Sequence, residues 1–169
     1  AGQTLRIRWR EGDDDNTIAT GWFVDSVTIA NAGQPTSCAA AIPNAYNYYT
    51  LSPCRILDTR NSAGPLGGPV LGPLATRTFS TAGTCGIPST AKALALNISV
   101  VSPSALGDLR IYPSDTAAPF TTVINFGVNQ TRTNNGIVAL STDGSQGVSI
   151  FNEAPGLTHV ILDVLGFFQ

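Results

Sequence analysis

Apolar and polar residues alternate along most of the chain, with the period of two that marks half-buried β-strands. Leu5, Ile7 and Trp9 fall on one face of an extended segment, and Arg6, Arg8 and Arg10 on the other. A polar turn from Glu11 to Asn16 follows, and Gly21 to Ile29 reads as the next strand. This pattern predicts a β-hairpin over residues 1–30. Two strands alone are marginal in water, so the hairpin needs a neighbour to lean on. Over residues 31–49 the alternation is lost among Asn31, Gly33, Pro35 and Pro43, which predicts a linker ending against a folded body.

From residue 50 onward short strands are predicted over 54–59, 76–80, 91–101, 108–112, 121–126, 136–140, 148–151 and 158–168. Turn chemistry separates them, for example Gly67-Gly68-Pro69, Ser102-Pro103, Asp143-Gly144 and Pro155-Gly156. No window shows a capped helical stripe. Ala91 to Leu96 holds good helix formers, but it flows into the β-branched, alternating Ile98-Ser99-Val100-Val101. The expected fold is all-β: an antiparallel β-sandwich or jelly roll with essentially no helix, complete within residues 50–169.

Charged residues make up 12% of the 169, hydrophobic residues 43%, and the formal net charge is −2. Lys and Arg are too few for a broad phosphate-binding surface, so nucleic-acid partners are excluded. A weakly charged, apolar chain buries enough surface to fold, which excludes disorder. No run approaches the ~18 apolar residues of a membrane-spanning helix. The chain starts Ala1-Gly2-Gln3 and contains no Met, as expected for a piece of a larger processed protein.

Of three cysteines, Cys54 and Cys85 stand 31 apart beside turn residues and are the expected disulfide. Cys38 is left over in the linker, its partner expected upstream. Metal binding is the competing reading, disfavoured because no C-x-x-C pair occurs and His159 is the only histidine.

Little in the sequence suggests a reactive centre. His159 lies in a strand pattern and no G-x-S-x-G elbow occurs, so a serine-type triad is not expected. Glu11 and Glu153, the two glutamates, fall in separate parts of the chain, which leaves a glycosidase pair unsupported. Asp58 and Arg60 are two apart on an extended segment and share a face, with Arg55, Leu57 and Thr59 on the other. Their first reading is a structural ion pair; their second is a planar, bidentate site for sugar hydroxyls or a carboxylate. Asn125, Asn129, Gln130, Asn134 and Asn135, with Arg132 among them, suit either turns or a hydroxyl array. Asp13, Asp14, Asp15 and Asn16, with Asp25 on the following strand, offer oxygens to a structural Ca²⁺, but a solvated hairpin loop is the favoured reading and the EF-hand pattern is absent. Tyr46, Tyr48, Tyr49 and Trp22 are aromatic platforms in principle. Tyr48 and Tyr49 are expected to dock the linker onto the module.

Several segments taken together resemble a known module. They are Pro53-Cys54-Arg55-Ile56-Leu57-Asp58-Thr59-Arg60, Cys85-Gly86-Ile87-Pro88, Gly107-Asp108-Leu109-Arg110-Ile111-Tyr112-Pro113, Val148-Ser149-Ile150-Phe151-Asn152 and His159 to Phe168. The resemblance is to a module, often C-terminal, of large secreted or surface proteins of actinobacteria and acidobacteria, and it covers residues 48–169. It implies an extracellular accessory role without catalysis. Residues 3–30, with Trp22-Phe23-Val24-Asp25-Ser26-Val27, resemble the last two strands of a carbohydrate-binding or MAM-like β-sandwich. The expected function is non-catalytic attachment to a polysaccharide or cell-surface glycan, alongside upstream domains of the same protein. The alternatives are a structural or homo-oligomerisation cap and, more remotely, a small hydrolase. No cofactor is expected beyond the structural Ca²⁺.

Overall fold

A computed structural model of the chain describes residues 46–169. The predicted hairpin, Cys38 and the Ca²⁺ candidates Asp13, Asp15 and Asp25 lie outside the described residues. Eight strands are present: β1 (Tyr48–Asp58), β2 (Thr76–Ser80), β3 (Ala93–Val101), β4 (Gly107–Pro113), β5 (Ile124–Phe126), β6 (Arg132–Ala139), β7 (Gly147–Asn152) and β8 (His159–Phe168). They form two four-stranded antiparallel sheets, ordered β1-β8-β3-β6 and β2-β7-β4-β5. No helix occurs among the described residues. The all-β sandwich expected from the alternation is what forms.

The alternation decides which face of each sheet turns inward. Leu94, Leu96, Ile98 and Val100 of β3 are no more than 1% exposed, as are Val160, Leu162 and Val164 of β8. Leu109 and Ile111 of β4, Val148 and Ile150 of β7, Phe79 of β2 and Ile124 and Phe126 of β5 join the same buried cluster. Each such side chain contributes about 1.5–3 kcal/mol by leaving water. One amide shares this interior. Asn152 is fully buried, and its Nδ2 donates to the carbonyls of Gly72 and Gly156, both at 2.8 Å. Its Oδ1 accepts the Ala154 N–H at 3.1 Å, so every polar atom is satisfied and the β1–β2 and β7–β8 connections are tied together.

Strand boundaries depart from the sequence reading where long-range pairing overrides local turn chemistry. β1 starts at Tyr48, inside the predicted linker, because Tyr48 packs on Phe168 and Tyr49 stacks on Phe167 at 5.2 Å between ring centroids. These tyrosines therefore belong to a strand, and they hold β1 on β8. The close fit needs Gly166 beneath them, since a Cβ there would sit 2.5 Å from the Tyr49 carbonyl oxygen. β6 begins at Arg132 and not at residue 136, since Asn134 and Asn135 pair with Ile98 and Asn97 on β3.

The sharpest departure is in β1. Pro53 has no N–H to give a ladder and sits, as such a residue must, in an edge strand at a register shift between Thr50 and Cys54. A second shift between Arg55 and Leu57 inserts one residue, which moves Arg55 onto the face that carries Asp58. The expectation that Arg55 and Asp58 lie on opposite faces is thereby corrected: Arg55 Nη1 reaches Asp58 Oδ2 at 3.3 Å.

Cys54 and Cys85 form the expected disulfide, with 5.9 Å between their Cα atoms. The bridge fastens the edge strand β1 to the connection between β2 and β3. Closing a 31-residue loop removes denatured-state entropy worth roughly 3–4 kcal/mol. Replacing both cysteines by alanine is expected to lower the thermal midpoint by roughly 10 °C with the far-UV spectrum retained, as calorimetry and circular dichroism would show. An unchanged midpoint would mean that the bridge constrains nothing.

Candidate functional site

Polar side chains excluded from the sandwich interior gather in three places. The first is the ion-pair hub at the end of β1. Asp58, only 4% exposed, accepts the Arg60 main-chain N–H at 3.1 Å, Arg60 Nε at 2.9 Å and Arg60 Nη2 at 2.7 Å. Arg55 adds its bond to Asp58 and forks onto Asp163, with Nε to Oδ1 at 2.8 Å and Nη2 to Oδ2 at 3.3 Å. The Arg60 side chain, then its main-chain N–H and the charges of both arginines, hold the Asp58 carboxyl down at about 2 against the cost of burial. Two arginines face two carboxylates, so the hub is neutral and its bidentate capacity is already used within the protein. The Asp58–Arg60 pair is thus the structural ion pair of the first sequence reading.

Asp58 is depressed in the folded state, so its contribution to stability is present above the unfolded carboxyl range and is lost as pH falls from about 4 towards 2. A shift of this size is worth about 2 kcal/mol, which solvent around the half-exposed guanidinium groups reduces to nearer 1. Asp58→Asn is therefore expected to cost roughly 1 kcal/mol or more at pH 7 in urea unfolding and to flatten the loss of stability between pH 4 and 2. A variant as acid-sensitive as the parent would contradict this assignment.

Beside the hub, a polar row crosses the outer face of the β1-β8-β3-β6 sheet. Arg55 pairs in register with Asp163, Asp163 with Asn97, and Asn97 with Asn135. With Pro53, Cys54 and Leu165 they line an open groove of about 430 Å³.

The third place is a recess of about 480 Å³ at the open side of the sandwich, where the edge strands β5 and β6 approach. Thr122, Val123, Ile124 and Asn125 line one wall; Arg132, Thr133 and Asn134 line the other. Asn134 Nδ2 donates to the Val123 carbonyl at 2.7 Å, which holds the two edges together and leaves its Oδ1 facing no donor among the described residues. Arg132 Nε donates to Gln130 Oε1 at 3.2 Å, and no carboxylate among the described residues pairs with its guanidinium. Asn125 makes no side-chain hydrogen bond among the described residues. Phe120, two residues before the recess wall, is 95% exposed, and the Arg110 guanidinium lies 5.9 Å from its ring centroid.

The structure thus brings Asn125, Arg132 and Asn134 into one site. It sends Asn135 to the opposite face of β6, into the outer groove, because neighbouring strand residues point to opposite sides. Asn129 sits in the β5–β6 turn with φ of 57°, where it serves the turn reading. Nothing in the sequence pattern points to Thr122, which folding places in the lining of the same recess; Thr133 turns to the outer face, where its hydroxyl meets Ser99 Oγ at 2.8 Å.

Two clusters bear on chemistry. Thr59, 2% exposed, contacts His159 Nδ1 at 3.1 Å and also accepts the Val160 N–H at 2.8 Å. No carboxylate hydrogen-bonds that imidazole among the described residues. Asp108 and Glu153, far apart in sequence, are brought together because β4 pairs with β7 and the Glu153 N–H donates to the Asp108 carbonyl. Arg110 binds Glu153 and lies between the rings of Phe120 and Phe151. Burial, followed by the neighbouring Glu153, pushes the Asp108 carboxyl up. Folding therefore does assemble a carboxylate pair, which sequence spacing gave no reason to expect, but its glutamate is engaged by Arg110.

Neither a protein-family model nor a curated protein matches this chain. Among solved structures it is similar to the Tobacco streak virus coat protein. The dimer structure shows 12% identity and a TM-score of 0.36, covering 75% of this chain and 89% of that one. A second crystal form shows 13% identity and a TM-score of 0.35, covering 75% and 90%. These values assign the chain no activity and no partner.

Proposed function

We propose that the sandwich is a non-catalytic, extracellular accessory module that binds carbohydrate through the recess between β5 and β6. The observation that carries this reading is the meeting of Asn134 and Arg132 with Asn125 and Thr122 in the lining of one recess. Amides both donate and accept, hydroxyls do the same, and a guanidinium donates in a plane, which together suit an array of sugar hydroxyls. The recess lies within the ~300–1,000 Å³ of small-ligand sites. Phe120 beside it offers an exposed apolar face of the kind on which sugar C–H groups pack. Rigid edge strands hold the polar groups, so little ordering is needed on binding. The Cys54–Cys85 bridge supports a secreted or surface location, since such bonds persist in oxidising compartments.

The test is sedimentation of the whole chain with insoluble peptidoglycan, cellulose, xylan and chitin. At least one polysaccharide is expected to retain the protein. Asn125→Ala with Asn134→Ala, and separately Arg132→Ala, are expected to weaken retention at least tenfold without lowering the thermal midpoint by more than a few degrees. No retention on any of the four, or retention indifferent to these substitutions, would overturn the proposal. A fixed dimer or trimer in light scattering without glycan affinity would then point to the structural cap.

A further inference from the structure

A separate recess opens at the end of the sandwich where β1 and β3 begin and β6 ends. It measures about 240 Å³ and is lined by Tyr46, Ser89, Lys92, Ser141, Thr142 and Gln146, among others. It is smaller than a drug-sized pocket and suits a single ring-sized group.

Its wall is rigid. Ser141 Oγ bonds Asp143 Oδ1 and Ser145 Oγ, each at 2.8 Å, and accepts the Gly147 N–H at 2.8 Å. Asp115 Oδ2 accepts both the N–H and the hydroxyl of Thr142 at 2.7 Å. Gln146 is only 4% exposed. Its Nε2 is spent on the Pro88 carbonyl at 2.7 Å, and its main-chain carbonyl accepts the N–H and hydroxyl of Thr81. Its Oε1, however, is buried with no donor among the described residues. A buried acceptor without a donor is costly and therefore uncommon. Asn152, equally buried, shows how completely this fold satisfies an amide when no partner is missing.

Lys92, the only lysine of the chain, lines the same recess. Among the described residues no carboxylate lies within ion-pair distance of its ammonium group. The carboxylates of Asp115 and Asp143 are instead engaged by Thr142, Ser141 and Ser145. Tyr46, half exposed, supplies an aromatic wall.

We propose that this end recess is a second binding site, specific for an acidic sugar unit. The sugar's carboxylate pairs with Lys92, its ring packs on Tyr46, and a hydroxyl donates to Gln146 Oε1 after a small outward shift of that side chain, which shields the atom in the free protein. A ligand must carry both a negative group and a hydroxyl donor to answer the two unpaired groups at once. A neutral sugar answers only one of them. The proposal does not depend on the recess between β5 and β6.

The test is calorimetric titration of the whole chain with trigalacturonate and, for comparison, neutral xylotriose. Trigalacturonate is expected to bind at least tenfold more tightly than xylotriose. Lys92→Gln is expected to weaken it at least tenfold and to erase the preference, and Tyr46→Ala to weaken it severalfold. Both are surface substitutions, so the fold is kept. Arg132→Ala is expected to leave trigalacturonate binding unchanged. Absence of binding, equal binding of both sugars, indifference to Lys92→Gln, or loss with Arg132→Ala would each overturn this second site. Only the last of these results would leave acidic-sugar binding at the β5–β6 recess.

Discussion

The module depends on a single constraint: β3 and β8 lie at the centre of their sheet and bury every second side chain almost completely. A shift of one residue in either strand would put Asn97, Ser99 and Asp163 into the interior and Leu96, Ile98 and Leu162 into water. The register is therefore fixed by the cost of that exchange. Fixing it also fixes what lies outside, where Asn97, Asp163, Asn135 and Arg55 form an ordered row. The second sheet answers with its own buried residues, and Asn152 is admitted only because all its polar atoms find partners.

Because the interior is built from buried apolar side chains, binding chemistry is pushed to the margins. Edge strands carry unpaired backbone groups, and this fold handles each edge differently. On β1, Pro53, the two register shifts and the disulfide interrupt the ladder. On β5 and β6 the edges meet, bridged by Asn134, and polar side chains fill the space between them. The proposed sugar site is thus where sheet geometry leaves polar groups without protein partners, while the Asp58 hub, equally polar, is neutralised by its own arginines.

The period of two and the turn residues carried the fold class, all eight strands and the cysteine pairing, since each rests on local chemistry or short spacing. What the sequence could not carry depends on which strand lies beside which. Asn134 and Asn135 look equivalent as neighbours in a polar run, yet they serve different faces once β6 pairs with β3. Arg55 looks as though it points away from Asp58 until the extra residue in β1 turns it. Asp108 and Glu153 meet only because β4 runs beside β7. Gln146 is unremarkable in sequence and becomes informative through burial alone.

The central claim, that sugar binding resides in the recess between β5 and β6, is tested most directly by amide and side-chain NMR of the whole chain. The spectrum would be followed during addition of soluble fragments of whichever polysaccharide retains the protein. Shifts concentrated on the side-chain amides of Asn125 and Asn134, the Arg132 guanidinium and the Thr122 and Thr133 backbone are the predicted result. Shifts confined to the outer row at Asn97 and Asn135, or none at saturating fragment, would contradict it.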